Sequence, residues 1–289
     1  HDPPLTRVSL AYVERRIMER LRGAAVADLL WHAGRIDLDA EIARFADDRL
    51  RTQLDQKLGP RDDPRGAMTE IAYEKGALLL RTLEQRLGRA RFDEFLRARF
   101  DRLAFRSSDT TAFIADVRTA FRGELEPMLA TWLEGLDVPA DAAPATSALA
   151  TSIADAARAF ASAGTPVDAR GWKTLEWVTF LRSLPADLTT ARLRELDRAH
   201  QLTASPNPLV GSNWLPILIA HDERAAAPII DRFVTTIGRR LLVRPVYAAM
   251  ARGGPFWLAR ARAVFAAASA GYHPLTRAAI AELLDPPPP

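Results

Sequence analysis

Tyr73, Glu74, Lys75 and Gly76 set a phenol, a carboxylate, an ammonium and a glycine in consecutive positions. Apolar residues follow at Leu79, Leu80, Leu83 and Leu87. That spacing is helical and predicts that Tyr73 stands at or near the start of an amphipathic helix. A phenol held there can aim its hydroxyl across a cleft. The same four residues also suit a buried tyrosine whose hydroxyl is satisfied at a helix start. A second candidate is Arg239, which follows Gly238 and has Arg240 and Arg244 nearby. A guanidinium matches a carboxylate through two parallel hydrogen bonds. The competing account leaves Arg239 in solvent near the negative end of the preceding helix, worth ~0.3–1 kcal/mol. The five histidines, at 1, 32, 200, 221 and 273, include no pair at i, i+4 and read as surface or capping residues. Cysteine is absent, which excludes disulfides, thiolate metal sites and cysteine nucleophiles.

The elements that must position these residues are helical. Alanine is abundant and alternating β-branched residues are scarce, so nearly all of the chain is expected to be helix. The first helix is expected from Thr6 or Ser9 to Gly23, a normal helix stop. Two more are expected over 24–34 and 38–45, a loop over 59–66, and a helix around 113–117 capped by Ser108, Asp109 or Thr110. From 138 to 151 the composition shifts to Ala, Pro, Ser, Thr and Asp, the best linker in the chain. Beyond it, helices are expected over 151–163, 172–184, 189–200, 213–220, 224–237, 243–252, 255–270 and 274–284. Helices in pairs with short polar turns suggest an α-solenoid. A length of 289 residues suits roughly two domains, taken as 1–137 and 152–289 around the linker at 138–151.

Composition bounds the function. The 48% hydrophobic and 26% charged content is ordinary for a globular protein. Net charge is +3 with acids and bases interspersed, and no Lys/Arg block could track phosphates, so no nucleic-acid partner is expected. No run of about eighteen apolar residues exists, so no membrane partner is expected either. A cytoplasmic location is the expectation. The opening His1-Asp2-Pro3-Pro4 reads as lying inside a longer protein.

These residues resemble the zinc aminopeptidases, the gluzincin family that includes aminopeptidase N, aminopeptidase B and leukotriene A4 hydrolase. Tyr73-Glu74-Lys75-Gly76 matches one of its motifs; Tyr12 matches the end of a helix reading Trp-Leu-Asn-Glu-Gly-Phe-Thr-x-Tyr, and Glu14-Arg15 the Glu-Arg segment that follows it. The match continues through Leu83-Glu84-Gln85, Phe92 to Leu96, Phe105 to Thr111 and Trp132-Leu133 with Gly135-Leu136. In the second half it rests on Trp172, Phe180-Leu181, Trp214-Leu215, Gly238-Arg239, Arg244 to Tyr247 and Tyr272 to Thr276. The resemblance implies an all-α fold: the helical remnant of a thermolysin-like peptidase domain, followed by an armadillo/HEAT-like α-solenoid. It implies that Tyr73 donates to an oxyanion, a contribution typically worth ~10²–10³ in rate. It also implies Arg239 as the anchor of a peptide carboxylate, a peptide as substrate or ligand, an amino-terminal portion as partner, and zinc in the parent family.

Departures from the pattern bear on the metal. Arg7 falls where the family has its ligand Glu, and the His-Glu-x-x-His helix occurs nowhere in the 289 residues. An Arg has no lone pair to give a metal. This chain is therefore expected to hold no zinc by the family's mechanism and to be inactive alone, the alternative being a non-catalytic helical scaffold that binds a peptide or protein. Arg65 stands where leukotriene A4 hydrolase is acidic, and Leu241 where it has Lys. One origin accounts for Thr6-Arg7-Val8-Ser9-Leu10: the codons AAC GAG GGT TTC ACT G for Asn-Glu-Gly-Phe-Thr, read one base later, spell those five residues. Resequencing the gene upstream of codon 11 is expected to show the family's Asn-Glu in another frame; its absence from every frame would end this explanation.

Overall fold

The computed structural model describes residues 5–56, 69–106, 108, 110–121 and 125–285. Among them lie fourteen α-helices and no strand, the all-α fold expected. The loop at 59–66 with Arg65 falls outside the described residues, as do Asp109 and the side chain of Arg7. No helix among the described residues is long and apolar enough to cross a membrane. The chain forms two compact units, His1–Leu149 and Ala150–Pro289.

The first unit is built on α1 (Leu5–Arg22), α2 (Ala24–Arg44), α3 (Gly76–Leu87), α4 (Arg89–Arg102), α5 (Thr110–Phe121) and α6 (Glu126–Glu134). Gly23 and Gly88 separate consecutive helices with φ of 89° and 78°, a region that costs glycine little. Two helices were expected over 24–45, yet α2 runs unbroken to Arg44. No proline or cap interrupts it, and Gly34 is tolerated mid-helix because its bare Cα lets other groups approach, as described below. The core gathers Tyr12, Trp31, Leu79, Phe92, Phe113 and Trp132 from all six helices of the unit. The segment where a linker is expected lies against this unit. Val138, Ala142 and Ala145 pack on its core, and the Ala143 N–H donates to Thr82 Oγ1 at 2.9 Å.

The second unit contains α7 (Ala148–Ala163), whose first residues belong to the preceding unit, then α8 (Thr174–Ser183), α9 (Thr190–His200) and α10 (Pro208–Ala220). It continues with α11 (Ala227–Thr236), α12 (Arg240–Arg252), α13 (Pro255–Ala268) and α14 (Pro274–Leu284). The expected helices are all present within a few residues. The largest shift is in α10, which starts at Pro208 instead of 213 because Asn207 caps it, accepting from the Leu209 N–H, with Pro at the first position. Along the chain α8, α10, α12 and α14 pack in succession, while α11 packs on α13. Alternate helices thus stack in layers, the geometry of an α-solenoid.

Two of the matched segments in this unit are struts. Tyr272 OH donates to the Val234 carbonyl at 2.5 Å, so the buried Tyr247 OH, 3.2 Å away, donates to Tyr272. Replacing Tyr272 by Phe strands both partners, and Tyr272→Phe is expected to lose about 1–3 kcal/mol in urea unfolding. A loss under about 0.5 kcal/mol, the level of an ordinary surface change, would remove this bond from the framework.

Candidate functional site

Ile71–Lys75 form a single π-helical turn ahead of α3, with Tyr73 in its middle. Such turns are rare and are often found at functional sites. The two residues after Tyr73 pin it. Glu74 Oε2 accepts from Arg15 Nη2 of α1 at 2.6 Å, with the two side chains only 14% and 7% exposed. Lys75 is fully buried and its Nζ donates to the Thr52 and Gly135 carbonyls at 2.8 and 2.6 Å. One anchor reaches α1, and the other reaches a 3-10 turn at Arg49–Thr52 and the end of α6. Tyr73 itself is half-buried.

The Arg15–Glu74 contact explains three other residues. The Arg15 guanidinium lies 4.2 Å from the centre of the Trp31 ring, and Arg81 lies 4.6 Å from the same ring. A Cβ on Gly34 would sit 2.0 Å from Glu74 Oε2 and 2.3 Å from Arg15 Nη2, so only glycine fits beneath the pair. Burial pushes the Glu74 carboxyl up while Arg15 draws it down. Glu70 is also held above the usual carboxylate range, first by burial and then by the charges of Glu74, Asp37 and Glu41. The flank of the turn is therefore acidic.

Other matched residues prove to be framework. The Tyr12 hydroxyl donates to Glu84 Oε2 at 2.8 Å and accepts from Arg16 Nη1 at 2.6 Å, while Arg16 also clamps Asp93. Burial, then Glu84, raises this phenol, so it ties α1, α3 and α4 together as a neutral group. The matched Gly135-Leu136 pair lies under the π turn: Gly135 supplies a carbonyl to Lys75, and Leu136 supplies one to the Thr52 hydroxyl. The structure thus joins the blocks at 12–15, 73–76 and 132–136, which are far apart in sequence. Gly34 and Trp31 were missed in the sequence; a glycine inside an otherwise uninterrupted helical pattern was the available signal.

Arg239 lies in the second unit. It is exposed at the N-cap of α12, where its carbonyl accepts from the Leu242 N–H at 2.9 Å. Arg240 and Arg244 are also exposed, and Leu241 is 61% exposed. The guanidiniums therefore gather at the positive end of α12, where cations are disfavoured and an anion is welcome. His273 caps α14 through Nδ1, as a helix-start residue should. His221 places its ring nitrogens 2.9 and 2.6 Å from the Ile217 and Leu188 carbonyls. Among the described residues no group of three His, Cys, Asp or Glu is placed to hold a metal.

Two outcomes test the anchors. Glu74→Ala leaves Arg15 buried without its partner and is expected to cost ~3–5 kcal/mol in chemical denaturation. Converting both Arg15 and Glu74 to Met should restore much of that loss, and a single-variant cost below about 1 kcal/mol would show that the pair does not organise the turn. Burial lowers the Lys75 ammonium from its ordinary 10.5 to about 8, against the pull of Asp137. In that window the unfolded chain holds the proton more tightly, so unfolding free energy rises with pH. The gain from pH 8 to 10.5 is expected to be on the order of 3 kcal/mol relative to Lys75→Met. Taking the difference removes the opposing titration of the buried tyrosines; parallel pH profiles for the two proteins would contradict the assignment.

Comparison with known proteins agrees with this layout. Residues 9–132 match the Peptidase family M1 domain, and residues 172–284 match the domain described as leukotriene A4 hydrolase, C-terminal. Leucine aminopeptidase 2 of Yarrowia lipolytica is 26% identical over 293 residues, covering 92% of this chain and 44% of that protein. Its namesake in Sclerotinia sclerotiorum is 27% identical, covering 80% and 41%. The structure of yeast leukotriene A4 hydrolase in complex with bestatin superposes with a TM-score of 0.83 at 25% identity, over 95% of this chain and 49% of that one. The chain spans less than half the length of these relatives. The chain is thus similar, in order, to part of the M1 peptidase domain and to the leukotriene A4 hydrolase C-terminal domain.

Proposed function

We propose that this chain is the carboxyl-terminal part of a metallo-aminopeptidase-type protein, and that alone it binds short peptides without cleaving them. In the first unit Tyr73 is the candidate donor to a peptide carbonyl oxygen; in the second, Arg239 is the candidate partner for a peptide carboxylate. The observation that carries this reading is the pinning of the Tyr73 turn by Glu74 and Lys75. Taking a carboxylate and an ammonium out of water at successive positions costs several kcal/mol apiece before their partners repay it. A tyrosine that merely filled space would not require that; a hydroxyl that must be preorganised does. The exposed arginines at the start of α12 supply the charge that a carboxylate needs.

Cleavage in this family depends on metal-activated water, and this sequence offers Arg7 at the carboxylate position and no His-Glu-x-x-His. The catalytic reading therefore requires an amino-terminal portion as partner. The same donor set favours the second reading, a non-catalytic scaffold whose old cleft survives as a peptide groove. Elemental analysis and a leucyl-anilide assay on the purified chain are expected to find no stoichiometric zinc and no turnover. Calorimetry with a tripeptide is expected to show binding that weakens about tenfold, or ~1.4 kcal/mol, in Arg239→Ala. Stoichiometric zinc with turnover abolished by Tyr73→Phe would refute the inactive-alone reading, and absence of any peptide binding would refute both.

A further inference from the structure

Away from the Tyr73 turn and the start of α12, the second unit carries a half-open cavity of about 170 Å³ between α9, the turn at Leu202–Ala204, α10 and the beginning of α11. Its apolar lining comes from Leu193, Leu218, Ala226 and Ile229. Its polar lining is Arg194, Asp197, Thr203 and Glu223. An apolar hollow with a few convergent polar groups is the ordinary form of a small-ligand site.

The charges here do not cancel. Arg194 and Glu223 neutralise each other, with Nη2 2.9 Å from Oε1 and a second contact from Nε at 3.3 Å. Asp197 has no ion-pair partner among the described residues; its Oδ1 accepts the Thr203 N–H at 2.8 Å, and the Thr203 hydroxyl is in turn held by Trp214 Nε1 at 2.8 Å. Asp197 and Leu218 also lie in the last turns of α9 and α10, whose carboxyl ends carry partial negative charge. One helix start, that of α11, opposes them at Ala225 and Ala226. The balance is a fixed carboxylate and two helix ends beside an apolar floor, and it calls for a cation with an aliphatic body.

Volume sets its size. At roughly 30 Å³ per water-sized group, 170 Å³ holds roughly six heavy atoms. We infer that this cavity is a binding site for a short aliphatic primary ammonium, with the ammonium on Asp197 and the alkyl group on Leu193, Leu218 and Ile229. The assignment is independent of the peptide-binding reading above and uses none of its residues.

The test is calorimetric titration of the whole chain with 3-methylbutylammonium, its neutral counterpart 3-methylbutanol, and 3-methylbutanoate. The amine is expected to bind, with the alcohol and the acid at least about tenfold weaker, which corresponds to ~1.4 kcal/mol. Asp197→Asn, which keeps an oxygen for the Thr203 N–H, should weaken the amine by a similar factor. Ala225→Leu, at an exposed lining position, should abolish binding while leaving the fold intact by circular dichroism. Should Asp197→Asn fail to fold, Ala225→Leu decides alone. Absence of amine binding, equal binding of the alcohol, tighter binding of the acid, or full binding by Ala225→Leu would each overturn the assignment.

Discussion

The ion pair between Arg15 and Glu74 is the constraint on which the first unit depends. A buried pair of this kind stabilises little against an apolar alternative, because desolvation offsets most of the Coulomb attraction. Its effect is on specificity. Breaking either half leaves a charge stranded in a medium that cannot solvate it, so α1, α2 and the π turn must adopt the one arrangement in which the charges meet. Trp31 offers its ring face to the guanidinium, and Gly34 clears the space below. Several residues that look unrelated along the chain thus answer to a single contact.

Lys75 plays the corresponding part on the other side of the turn. An ammonium at the head of an apolar helix is costly unless carbonyls replace its water, and Thr52 and Gly135 provide them. Between these two anchors the backbone of Tyr73 has little freedom. The π turn is a rare form, and here anchored side chains hold it from both sides. Such a position suits a hydroxyl that must be aimed in advance.

The second unit follows a different logic. Its packing is repetitive: α8, α10, α12 and α14 pack in succession and α11 packs on α13. Polar bonds serve there as ties between layers, such as Tyr272 with Val234 and His221 with Leu188. Where the repeat leaves a gap, beside Asp197 and Leu218, the chain has room for something other than itself.

Much of the fold was legible in the amino-acid order because it is written in local terms. Apolar spacing marks helices, and Gly23, Gly88, Pro208 and Pro274 mark their limits, since backbone sterics act over a few residues. The motif at Tyr73 was legible for the same reason. The pairing of Glu74 with Arg15, 59 residues apart, was not, nor were the burial of Lys75, the need for glycine at 34, or the continuity of α2 across it. Those depend on which helix faces meet, and meeting is decided by the total burial of the unit, not by any window of the chain. By itself the sequence determined the helical class and the family pattern. Only the tertiary structure decided which charged residues are buried together and which hollow is left beside the Asp197 carboxylate, because desolvation acts on a side chain through all of its neighbours at once.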